Sequence, residues 1–298
     1  MKLVFAGALC ALALVQQPAR LQPDPPKVCS SCDAWNGAIE PFKVFGNTYY
    51  VGVSGLSAVL VTSDQGHVLL DAGLPQSAAA IDVHIRSLGF KTGDIRLILN
   101  SHAHYDHAGG IAAIQRLSGA TVATSPSGAR ALEAGEPTPD DPQYAFGRAS
   151  NAFPRVEHVR AVADGDVLRV GPLAITAHWT PGHTPGSTTW TWQSCEGARC
   201  LDVVYADSLN AVSAPGFTFT GDATHPSRVD AFRKSIATVA ALPCDVLLSV
   251  HPEFSNTAEK LRRRAAGATG NPFVDPSGCR TYAANASRAL DRRIAEER

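Results

Sequence analysis

The sequence predicts one sandwiched α/β domain, and three observations carry that prediction. Short runs rich in Val, Tyr and Leu, bounded by Gly, Pro, Asn and Asp, alternate with segments of helical spacing. The second half of the chain repeats the order strands, helix, strand. No linker, low-complexity tract or clear internal repeat divides the chain. At 298 residues, 45% hydrophobic and 18% charged, the chain is long enough to bury a sizeable core. Its formal net charge of -1 argues against nucleic acid or an anionic membrane surface as the main partner, since both need a basic excess or patch.

In chain order, Lys2, an apolar stretch from Leu3 to Val15 and then small and polar residues including Ala19 have the layout of a secretory signal peptide. Residues 1–19 are therefore expected to be removed and the mature chain, 20–298, to be periplasmic, with no membrane contact after processing. The apolar run of about 13 residues is shorter than the ~20 that span a bilayer. Cys10 follows Leu9, which is too large for a lipid-attachment site.

Residues 20–36 are rich in Pro and Ser and read as an extended arm leading into the domain by residue 40. Residues 48–53, 57–62 and 66–73 look like a meander of short strands. Residues 77–88 have helical spacing, 95–99 form a buried-strand run, and 109–117 read as a helix. After a strand at 121–124 comes a loop over 134–154, rich in Pro, Asp and Gly and long enough to be mobile or functional. Strand-like runs follow at 173–179, 187–192 and 201–205, then a helix over 228–242 and a strand over 245–250. The last segment, 283–298, reads as a solvated amphipathic helix and not as a nucleic-acid patch.

Six cysteines remain once Cys10 is set aside, an even number in a chain bound for an oxidising compartment, so disulfides are expected. Cys195 and Cys200 flank a Glu-Gly-Ala-Arg turn and suit a hairpin bridge, and Cys244 with Cys279 would tie the last strand to the C-terminal segment. Cys29-x-x-Cys32 could be redox-active or bind a metal, but its Pro-rich leader lacks a strand-to-helix context, so a structural bridge is preferred.

The chemistry concentrates at His102, Ala103, His104, Tyr105, Asp106 and His107, directly after the apolar run that ends in Asn100 and Ser101. Four donors in six positions are of the type that zinc prefers and exceed what one tetrahedral ion takes from a short loop, which suggests two neighbouring metals. His183, in Thr180-Pro-Gly-His-Thr-Pro-Gly, and His251, before Pro252, sit where other strands should end. Loops there can be gathered at one sheet edge. Five of the ten histidines and one aspartate thus form a candidate set.

These residues resemble the metallo-β-lactamase superfamily: the Leu70-Asp71-Ala72-Gly73 turn, the 102–107 cluster, the Pro-Gly-His183-Thr-Pro-Gly loop and His251. The resemblance covers roughly residues 40 to 255. Within it, the segments 205–209, 213–216 and 241–248, together with His251-Pro and Ser255-Asn256, are most similar to subclass B3. It implies a four-layer αβ/βα sandwich with two mixed sheets and outer helices. It also implies one zinc on His102, His104 and His183, a second on Asp106, His107 and His251, and a Cys244–Cys279 disulfide.

The implied activity is hydrolysis of the β-lactam amide of penicillins, cephalosporins and carbapenems by a metal-bound hydroxide, with Asp106 as the catalytic carboxylate, and antibiotic resistance as the outcome. Ser208 stands where related subclasses place a Cys ligand, and its hydroxyl would anchor the substrate carboxylate, assisted by Asn210. Phe217 replaces a Tyr of some relatives, which removes a phenolic donor. Asp71 is expected behind the site and not as a ligand. Asp207 has two readings, a carboxylate bridging both metals as in the thioesterase branch, or one supporting a ligand, and the second is preferred. The alternative function is a lactone or thioester hydrolase of the same fold.

The remaining histidines, His67, His84, His158 and His178, read as surface or satisfied core residues, and His225, before Pro226, as a surface residue in preference to one lining the pocket. Trp35 and Phe153 could form an aromatic rim, though single aromatics more often pack. A monomer is the expected oligomeric state.

Overall fold

The computed structural model describes residues 20–223 and 225–298. The expected signal peptide and Cys10 lie outside the described residues. The first sheet contains β1 (Phe42–Phe45), β2 (Thr48–Tyr50), β3 (Val59–Val61), β4 (His67–Leu70), β5 (Ile95–Leu99), β6 (Thr121–Thr124) and β7 (Val159–Ala161), in that spatial order. The first four strands pair antiparallel, and β4 to β7 run parallel. The second sheet runs β12-β11-β10-β9-β8, where β8 is Val167–Val170, β9 Leu173–Trp179, β10 Thr188–Glu196, β11 Arg199–Ala206 and β12 Val246–Ser249. Only the β11–β12 pair of this sheet is parallel. Both sheets are mixed, as the sandwich requires.

Alternation along the strands assigns the layers. Val68 and Leu70 of β4 face the core between the sheets with Ile175, Trp190 and Tyr205, while Leu69 between them faces the helices. Helices α1 (Ser77–Ser87), α2 (Ile111–Ser118) and α3 (Pro126–Ala134) cover the outer side of the first sheet through Ile81, Ile85, Ile111, Ile114 and Leu132. Helix α4 (Val229–Ala241) lies between β11 and β12, and α5 (Thr257–Ala265) and α6 (Gly278–Glu296) follow β12. Phe232, Ile236 and Val239 of α4 and Tyr282 and Leu290 of α6 cover its outer side against Val204 and Leu247. The result is the four-layer αβ/βα arrangement. No described helix is long and apolar enough to cross a membrane.

Several elements differ from the sequence expectations. Strands β1, β7 and β8, only three or four residues long, lie outside the runs read as strands. Helix α3 occupies residues between the expected strand and loop that carried no assignment; Ser125 accepts the Gly128 N–H at 3.3 Å, Pro126 starts the helix and Gly135 ends it in the left-handed region. The 134–154 loop contains a helical turn at Arg148–Asn151. Helix α6 begins at Gly278 and buries Tyr282, Ala283, Ala286 and Leu290, so its apolar stripe belongs to the core and not to solvent. The arm is extended only in part: Cys32–Trp35 is a helical turn.

All six described cysteines pair. Cys195–Cys200 closes the β10–β11 hairpin, Cys244–Cys279 joins the entry to β12 with α6, and Cys29–Cys32 lies in the arm.

Candidate metal centre

Four loops, each leaving the carboxyl end of a strand, converge at one edge of the sandwich. The first follows β5, and a buried carboxylate in front of it fixes where it starts. Asp71, at φ 55°, accepts hydrogen bonds from Asn100 Nδ2 (2.9 Å), Ser101 N–H (2.8 Å), Ser101 Oγ (2.5 Å) and Tyr205 Oη (2.9 Å). Asp tolerates the left-handed backbone better than most side chains. Burial pushes its carboxyl up to about 6 against these donors. Asp71 thus stands behind the cluster, as expected. Residues Tyr105–Ala108 then form a helical turn from which Asp106 and His107 project, and the expected helix follows beyond the cluster as α2, Ile111–Ser118.

His183 arrives on the loop between β9 and β10, Ser208 and Asn210 after β11, and His251 after β12. Each histidine except His107 spends one ring nitrogen on a fixed protein acceptor. His102 Nδ1 lies 2.6 Å from Asp207 Oδ1, and His104 Nε2 lies 3.2 and 3.1 Å from the two oxygens of Asp141. His183 Nδ1 lies 2.8 Å from the Asn210 carbonyl, and His251 Nδ1 3.2 Å from that of Gly55. Carbonyls and carboxylates only accept, so those nitrogens carry the protons and the opposite ones keep lone pairs. Metal-ligating histidines are oriented in this way.

The free donors gather in two groups. Ring nitrogens of His102, His104 and His183 lie within 4.8 Å of one another. Asp106 Oδ2, His107 Nε2 and His251 Nε2 form a nearly equilateral triangle with sides of 3.3, 3.4 and 3.3 Å. Donors around a tetrahedral zinc at about 2.0–2.1 Å stand about 3.3–3.4 Å apart, so the triangle matches one face of that polyhedron. His102 Nε2, opposite the nitrogen held by Asp207, is buried without a protein partner in the first donor group. An unpaired buried imidazole nitrogen among other donors is costly unless something binds it, and the donor chemistry therefore fits a metal.

Electrostatics agree with the grouping. Burial drives His102 well below, and His183 down to about 3, each aided by neighbouring imidazoles, so both are neutral donors. Burial opposes charge on His104 and His107, but the carboxylates of Asp141 and Asp106 more than offset it. Burial likewise opposes ionisation of Asp106, yet His107 and His251 hold it well below the usual carboxylate range.

A cavity of about 200 Å³ opens over the donors. Among its lining residues are Trp35, Gln143, Asn151, Ser208 and Asn210, with His104, Asp106, His183 and His251 at its floor. Trp35 stands at the rim, its ring 5.5 Å from that of His251, whereas Phe153 is buried in the core under the first sheet's helices. Asp207 does not line the cavity. It lies behind His102, in the supporting position. His225 is exposed, as expected, and Asn210 contributes its carbonyl to His183 as well as a face to the cavity.

Asp141 and Gln143 carry no spacing signal, yet both belong here. Gln143 Nε2 lies 3.5 Å from His104 Nδ1 and from His183 Nε2. A larger cleft of about 670 Å³ lies along β9 and β10 beside His178, Thr191 and Asp202; it shares no residue with the metal centre and gathers no donor cluster.

The fold and site together define a metal-binding αβ/βα sandwich with its donors at the sheet edge. The sequence model of the metallo-beta-lactamase superfamily matches residues 51–263, and the chain belongs to that superfamily. Among solved structures, Rm3 metallo-beta-lactamase is 53% identical, with a TM-score of 0.87 over 91% of this chain and 99% of that one. MEM-A1, a subclass B3 metallo-beta-lactamase from a soil metagenome library, is 50% identical, with a TM-score of 0.84 over 88% and 98% of the two chains. A curated hydroxyacylglutathione hydrolase of Methylobacterium nodulans is 30% identical over 142 residues, covering 45% of this chain and 46% of the relative. The matched region thus spans about half the length of such curated relatives.

Proposed function

We propose that this protein is a periplasmic, monomeric, zinc-dependent β-lactamase of subclass B3 type, which opens the lactam amide of penicillins, cephalosporins and carbapenems and so confers antibiotic resistance. Two zinc ions would be held by His102, His104 and His183 and by Asp106, His107 and His251. The observation that carries this reading is the pair of donor groups on the floor of one cavity, whose wall presents Ser208 and Asn210.

Zinc supplies Lewis acidity and a water acidic enough to act as a nucleophile near neutral pH. The protein does the rest. Asp106, which stays ionised among its two histidines, keeps an acceptor carboxylate on the floor of the cavity and so can orient the attacking water. The Ser208 hydroxyl is the donor for the substrate carboxylate, and Asn210 supports it from the same loop. Trp35 at the rim packs against the apolar part of the substrate and excludes water. Asp207 and Asp141 hold His102 and His104 in the orientation and tautomer that ligation needs.

A thioester- or lactone-hydrolysing role is the second reading, supported by the likeness to curated hydroxyacylglutathione hydrolases, and it would be favoured if Asp207 bridged the metals. The position of Asp207 behind His102 supports the lactam reading instead. The test is an assay of the mature protein on a penicillin, a cephalosporin, a carbapenem and a thioester, with and without chelator. Chelator-sensitive lactam turnover, about two zinc ions per chain and a raised resistance level in a bacterial host are expected; thioester turnover without lactam turnover would overturn the proposal.

A further inference from the structure

The expected arm does more than lead into the domain. The main chain of Lys27 is held on both sides by one side-chain amide: its N–H donates to Gln76 Oε1 (3.0 Å), and its carbonyl accepts from Gln76 Nε2 (2.9 Å). From this anchor at the start of α1, its ammonium reaches across the fold to the carbonyls of Ala149 (3.0 Å) and Ala152 (3.1 Å). These carbonyls lie at the end of the Arg148–Asn151 turn, where helical carbonyls lack internal partners and favour a cation. The same ammonium stands 4.9 Å from the ring centroid of Tyr105, which lines the cavity.

The two alanines bracket Asn151, whose Nδ2 donates to the carbonyls of Gln143 (2.9 Å) and Tyr144 (3.3 Å). Hydrogen bonds and the short stretch of backbone between them therefore link Lys27 to Gln143, whose amide faces His104 and His183. We propose that Lys27 is a positioning residue that straps the 143–152 segment down as one wall of the substrate cavity, setting substrate affinity without touching the metal donors. The inference rests on the β-lactam reading of that cavity.

The test compares zinc-loaded wild type with Lys27→Met and Lys27→Arg. Three quantities are measured: hydrogen exchange of the 141–153 segment, zinc content, and kcat and KM for a lactam. The methionine variant should exchange that segment about tenfold faster. Its KM should rise about three- to tenfold while kcat stays within about twofold, with zinc content unchanged. Arginine, which keeps the charge and the donors, should restore most of both effects. Unchanged exchange or unchanged KM in the methionine variant would overturn the strap. Faster exchange in a protein whose wild type turns over no lactam would support the strap and overturn the lactam reading, so the two failures are distinguishable.

Discussion

Replacing Asp141 separates support of a metal ligand from the ligand itself. In the folded protein, His104 Nε2 finds its acceptors in the two oxygens of Asp141, at 3.2 and 3.1 Å, and both side chains are buried. Asp141→Ala leaves that N–H without a partner, which costs about 1–3 kcal/mol, and frees the ring to turn away from His102 and His183. Loss of an outer partner of a ligating histidine reduces metal affinity by about 10–100-fold. At 25 °C that is about 1.4–2.8 kcal/mol, so two separate lines of reasoning agree. Asp141→Asn keeps a neutral acceptor and should cost about fivefold.

The assay is zinc competition against a chromogenic chelator, followed by activity at saturating zinc, where kcat should largely recover. Proton linkage adds a second readout. Burial resists charge on His104 but Asp141 raises its pKa above the ordinary imidazole value, so zinc competes with a proton there at higher pH than at an ordinary imidazole. Affinity at that site should fall as pH drops through this raised value, and in Asp141→Ala the fall should begin at lower pH. Wild-type zinc affinity in Asp141→Ala, or an equal loss at both sites, would refute the reasoning.

Three further outcomes concern stability. Lys260 is buried with its ammonium 3.4 Å from the Leu247 carbonyl, and burial lowers its pKa from 10.5. Between the lowered value and 10.5 the unfolded chain binds more protons, so wild-type stability rises with pH across that window; Lys260→Met should raise the urea midpoint at pH 8, with an advantage that shrinks toward pH 10.5. A Cβ on Gly110 would meet the Ala72 carbonyl oxygen at 2.3 Å, a backbone overlap that side-chain motion cannot relieve. Gly110→Ala should cost about 1–3 kcal/mol or more by urea denaturation. Removing Cys244–Cys279, which closes a separation of 35 residues, should cost about 4 kcal/mol by the chain-entropy relation, measured on the double Ser variant.

Legibility followed the density of chemistry. The 102–107 cluster announced itself because four donors in six positions have few other uses, and His183 and His251 followed because strand ends of one sandwich converge. Asp71 was legible as a turn residue behind the site. Asp141 and Gln143 were not, because a lone carboxylate and amide in a polar loop look like any solvated pair until the chain brings them back 37 and 39 positions from His104. Lys27 was hidden for the same reason, its partners lying 122 and 125 positions away. Helix α3 is a different case: its Ser125 cap, Pro126 and Gly135 were all visible, but Gly128 and three alanines gave too weak an apolar stripe to stand out from a loop.

The donor groups draw on both halves of the sandwich. Residues 102–107 hang from the first sheet, while His183 and His251 hang from the second. An ion held between them is a cross-link as much as a reagent, closing the edge of the interface that the sheets' apolar faces close in the middle. Free zinc at a hundredfold excess over its dissociation constant would add about 2.7 kcal/mol to the folded state for each site. Starving the compartment of zinc would therefore act on how long the protein survives as well as on how fast it turns over.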